Sequence, residues 1–80
     1  MSGSTDHDPP GFRVDAVAIR HHLAEVADAV AATEDQVAKT FDRLAQTRPR
    51  QAARLRAQAA RARQYATVER DRAARYRAPP

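Results

Sequence analysis

Between Asp15 and Gln46 the chain contains neither glycine nor proline, and Ala16, Ile19, Leu23, Val26, Val30, Thr33, Val37, Thr40 and Leu44 recur there at alternating spacings of three and four. That alternation is the a/d repeat of a packed helix. A second series, Ala52, Leu55, Ala59, Ala62, Ala66, Glu69, Ala73 and Tyr76, repeats it beyond the Thr47-Arg48-Pro49 break. Strand signals are absent. Pro49 disfavours the α conformation at Arg48 and suits the first turn of a following helix, with Thr47 or Arg48 at the cap. The pattern predicts an all-α fold, a coiled-coil-like antiparallel two-helix hairpin: helix 1 over about 14–46, a turn at 47–48 and helix 2 over about 49–77, each roughly 45 Å long. The helical domain spans about 13–78, with tails at 1–12 and 79–80. A short connection between helices of similar length favours antiparallel pairing over the rival, one helix kinked at Pro49.

The stretch LAEVADAVAATEDQVAKTFDRL, Leu23 to Leu44, resembles the helix-turn-helix segment of winged-helix regulators. Val26, Ala27, Val30, Ala32, Thr33, Val37, Phe41 and Leu44 match its apolar, small and capping positions, and Thr33 with Gln36 forms a capping box. The resemblance implies a DNA reader whose second helix starts at Thr33. Three features depart from it. Ala31 or Ala32 stands where glycine usually makes the turn, Glu34, Asp35 and Asp42 charge the would-be recognition helix negatively, and no wing follows. The three-four alternation also passes through Thr33 in phase, which predicts one continuous helix.

The expected helix–helix interface comprises Ile19, Leu23, Val26, Val30, Val37, Phe41 and Leu44 on helix 1 with Leu55, Tyr65 and Tyr76 on helix 2. Folding back about Arg48 sets Phe41 near Leu55, Val37 near Ala59, Val30 near Ala66 and Ile19 near Tyr76, so large residues face small ones. In this register Glu34 meets Arg63, and Asp28, Asp35 and Asp42 point away from helix 2. A row of small residues beside each seam, Val17, Ala24, Ala31, Ala38 and Ala45 on helix 1 and Ala53, Ala60, Thr67 and Ala74 on helix 2, offers a second face for close approach of another hairpin. So few large apolar residues offset little beyond the entropy of ordering two helices, which favours self-association into a helical bundle or capture of a partner helix.

Charge sharpens this picture. Residues 1–47 hold four basic and eight acidic residues, net −4, whereas residues 48–80 hold ten Arg against Glu69 and Asp71, net +8. Thirteen of the fourteen basic residues are Arg, a composition read here as bacterial coding bias. Arg54, Arg56, Arg61, Arg63, Arg70 and Arg77 could hold phosphates, so nucleic-acid binding by the Arg-rich helix is the alternative function. Adjacent His21 and His22 diverge by about 100° on a helix and cannot chelate one ion together, so no metal is expected. No nucleophile stands beside a base and no glycine-rich loop occurs, which points away from an enzyme, a cofactor or a small-molecule substrate. The tail reads as disordered and carries no signal-peptide pattern, and no uncharged run approaches bilayer length. With no cysteine, the expected location is the cytoplasm.

Overall fold

A computed structural model describes residues 12–79. Helix α1 runs Phe12–Thr47, a single 3-10 turn occupies Pro49–Gln51, and helix α2 runs Ala52–Arg77. The helices pack along one another as a hairpin, with no strand among the described residues. Of the expected N-terminal tail only Phe12 is described, and it opens α1; Ala78 and Pro79 follow α2, and the rest of both tails lies outside the described residues.

Arg48 alone interrupts the helical backbone, with φ −130° and ψ 75°, as its position before proline dictates. Pro49 then opens the 3-10 turn, and the Gln51 N–H donates to the Arg48 carbonyl at 2.9 Å. The chain reverses without a left-handed residue, since no described residue has positive φ. Upstream, α1 is unbroken through Ala31, Ala32 and Thr33. The Thr33 hydroxyl donates back to the Ala29 carbonyl at 3.0 Å, a mid-helix bond and not an N-cap. The segment resembling a helix-turn-helix therefore lacks its turn.

The hairpin closes on alanine. Ala24, Ala31, Ala38, Ala59 and Ala66 are fully buried, and Ala27, Ala45, Ala62 and Ala73 nearly so, while no large side chain is fully buried among the described residues. On α2 the residues turned toward α1 are the predicted series, with Leu55, Glu69 and Tyr76 half-buried between the alanines. On α1 the series is Ala24, Ala27, Ala31, Glu34, Ala38, Phe41 and Ala45, the expected alternation moved by one residue, or 100° about the helix axis. Ile19, Leu23, Val26 and Val30, expected in this seam, are instead 38–57% exposed. Thr33 is exposed as well, and Val37 and Leu44 lie half-buried at the seam's edge.

Two physical gains follow from that rotation. Alanine against alanine allows the helix axes to approach toward the short end of the ~8–10 Å range. The same turn swings the Asp28, Asp35 and Asp42 row from the outer surface to the flank of α2. Two alanine clusters result, Ala24, Ala27 and Ala73 under Tyr76 near the open end, and Ala38, Ala59 and Ala62 beside Val37 and Phe41 near the turn. Half-buried Glu34 and Glu69 occupy the seam positions between them, where their methylene stems can cover the neighbouring alanines.

Ala38→Leu is expected to overpack the seam and lower hairpin stability by about 1–3 kcal/mol. Ala32→Leu, on the exposed side of α1, should stay within about 0.5 kcal/mol of the parent. Urea unfolding followed by circular dichroism at matched protein concentration checks the pair.

Candidate interaction face

The two long edges of the hairpin differ in chemistry. On one edge, Arg63 donates to Asp42 at 2.5 Å, Arg70 to Asp35, and Arg77 lies 2.8 Å from Asp28. Each step of seven residues up α1 is matched by seven down α2, so the three pairs form one ladder. The heptad pattern pairs Arg63 with Glu34; rotating α1 by one residue instead brings the Asp28, Asp35 and Asp42 row to this flank, where Arg63 meets Asp42. The side chains involved keep 34–51% of their exposure, so the ladder fixes register and facing more than it adds stability. It occupies three of the six arginines considered for phosphate binding and leaves Arg54, Arg56 and Arg61 without an ion pair among the described residues.

Arg20 locks the open end. Its Nε and Nη2 donate to the carbonyls of Tyr76 and Arg75 at 3.2 and 2.9 Å, and its guanidinium lies 5.9 Å from the Tyr76 ring centroid. These carbonyls belong to the last turn of α2, where partial negative charge accumulates, and the Arg75 carbonyl also accepts from the Ala78 N–H at 3.3 Å. Ile19, expected beside Tyr76, stands just before this clamp and is 57% exposed. The first two turns of α1, up to Ile19, thus extend past the end of α2. An antiparallel register counted from Arg48 places a cation at this level, but Arg20 was not singled out in the sequence because a single arginine carries no pattern.

The opposite edge is apolar. Leu23, Val26 and Val30 each stand one residue ahead of a buried alanine or one turn from it, and on α2 Tyr65 and Val68 stand one residue ahead of Ala66 and Glu69. Because the helices run in opposite directions, an offset of one residue toward the N-terminus emerges on the same side of the hairpin from both. Ile19, Leu23, Val26 and Val30 therefore share a face with Tyr65 and Val68, and all six are exposed. Val37 and Leu44 extend the stripe toward the turn. Arg54, Arg61, Arg72 and Arg75 rim it on the α2 side, with Arg72 held to Glu69 at 2.9 Å. Of the ten residues expected at a helix–helix interface, Val37, Phe41, Leu44, Leu55 and Tyr76 border the hairpin seam, while the other five lie on this open face.

Among the described residues there is no group of three or more metal-ligating side chains, and no helix is long and apolar enough to cross a membrane. No protein-family model matches the chain, and no curated protein or solved structure matches it either.

Replacing Asp28, Asp35 and Asp42 together by Asn should lower stability by roughly 1–2 kcal/mol at low ionic strength, and the difference should shrink in 1 M NaCl. An equal loss at both salt concentrations would assign the row a packing role. Arg20→Ala should cost about 0.5–1 kcal/mol, localised as faster amide exchange in the last turn of α2.

Proposed function

We propose that this chain is a non-enzymatic helical interaction module that acts by self-association through its apolar face. One observation carries the reading: the hairpin closes on alanines, while Ile19, Leu23, Val26, Val30, Tyr65 and Val68 stand exposed together on one side. Burying methyl groups alone is a small return against the ~1–2 kcal/mol of backbone entropy fixed per residue. A contiguous apolar stripe of this kind is uncommon on a monomer and characteristic of an association surface. Its placement fits a bundle. In a four-helix bundle each helix touches two neighbours roughly a right angle apart, and α1 carries two packing faces offset by 100°. Alanines occupy one and large apolar residues the other. The cysteine-free sequence fits a module working in a reducing cytoplasm.

Nucleic-acid binding is the second reading, supported by Arg54 and Arg61, which have no ion-pair partner among the described residues, beside exposed Tyr65 on the same side of the hairpin. Counting against it, Asp28, Asp35 and Asp42 neutralise the Arg63, Arg70 and Arg77 row.

Light scattering after size exclusion separates the two. Self-association predicts at least twice the 8.9 kDa chain mass, insensitive to salt and to added duplex DNA. Val26→Asp should return the mass to that of one chain and lower helix content. A monomeric chain that shifts with DNA and releases it steeply as salt rises would favour the second reading.

A further inference from the structure

We propose that the occupant of the apolar face is a second copy of this chain docked antiparallel, α1 on α1 and α2 on α2, about a two-fold axis that passes beside Ala29. This rests on the self-association reading and adds orientation and register to it.

Orientation follows from where the exposed residues lie. Both helices present apolar side chains on one side of the hairpin, and Val68 and Tyr65 sit opposite Val30 and Thr33 in the register set by the Ala24–Ala73 and Ala38–Ala62 levels. A two-fold axis parallel to the helices could lay α1 of one copy on α1 of the other, but it would leave Tyr65 and Val68 uncovered. The same kind of axis, shifted, would lay the α1 stripe on an α2 row in which Arg54, Arg61, Arg72 and Arg75 outnumber Tyr65 and Val68. An axis perpendicular to the helices lays the whole apolar stripe of α1 on its own copy and at the same time covers Val68 and Tyr65 with the stems of the partner's Arg72 and the partner's Arg75.

Register follows from size and charge. Centred at the level of residue 28, beside Ala29, the α1 stripe forms layers of Ile19 with the partner's Val37, Leu23 with the partner's Thr33 and Val26 with the partner's Val30, each repeated by symmetry. Larger side chains meet equal or smaller ones throughout. On the outer flank Asp15 then faces the partner's Arg43, and on the inner flank Arg20 faces the partner's Glu34. Opposite charges meet twice on each flank, and Ala29 meets its own copy at the axis, where a like charge would be repelled. Asp15, Glu34 and Arg43 make no ion pair within the chain among the described residues, although Glu34 is half-buried. The proposed register pairs all three.

The absence of native cysteine makes the arrangement directly measurable. Spin labels on Ala29→Cys should report a distance below about 20 Å within the dimer. Labels on Gln46→Cys, about eighteen residues from the axis in each copy, should be separated by about 54 Å at ~1.5 Å rise per residue. Short distances at both positions would overturn the antiparallel arrangement while leaving self-association intact; absence of a dimer in the unlabelled chain would overturn the self-association reading itself. Asp15→Arg and Arg43→Asp should each weaken the dimer roughly tenfold, and the double variant should recover most of that loss. Failure of the double variant to recover would overturn the register.

Discussion

Close packing of alanine against alanine sets the geometry of this hairpin. A seam built mainly from methyl groups holds two helices in tight contact without fully burying a large apolar side chain among the described residues. It places α1 with Ala24, Ala31, Ala38 and Ala45 inward, and from that rotation the two edges of the molecule follow. One edge receives the Asp28, Asp35 and Asp42 row opposite Arg63, Arg70 and Arg77. The other receives leucine, isoleucine and valine that no described residue of their own chain covers. The acidic first half and basic second half thus meet along one line.

The same constraint divides labour between the ends of the molecule. At the turn, pre-proline geometry at Arg48 and the 3-10 turn after it reverse the chain in a few residues. At the open end, Arg20 joins α1 to the carbonyls of the last turn of α2 and lies against Tyr76. Between these two fastenings the contacts are short-reach methyl contacts and solvent-exposed ion pairs. Such a hairpin is well specified in register but modest in core, which suits the proposed assembly through its remaining apolar surface.

How much of this was legible in the sequence differs between the helices. On α2 small and large residues share one repeat, so Ala59, Ala62, Ala66 and Ala73 could be placed facing α1 from spacing alone. On α1 two repeats overlap, Leu23, Val26, Val30 and Val37 on one, Ala24, Ala27, Ala31 and Ala38 on the other. Hydrophobicity favours the first, whereas the hairpin uses the second. The discriminating signal was electrostatic: acids at Asp28, Asp35 and Asp42 step by seven in the opposite sense to Arg63, Arg70 and Arg77, and only the rotated helix lets the rows meet. At Thr33 a local capping box competed with an uninterrupted helical pattern, and the pattern prevailed because Ala31 and Ala32 supply no turn. A function is harder to read because the open face carries no motif, only an arrangement that appears once the hairpin is closed.

Central to the account is the claim that each face of α1 serves a different partner, the alanine face its own α2 and the large apolar face another copy. Isotope-filtered NOE spectroscopy on a mixture of labelled and unlabelled chains tests this most directly. Ala38 methyl protons should show cross-peaks to Ala59 and Ala62 within one chain, and in the filtered spectrum that selects contacts between chains Val26 methyl protons should show cross-peaks to Val30 of the partner. Val26 cross-peaks to Ala66 or Ala73 of the same chain would contradict it.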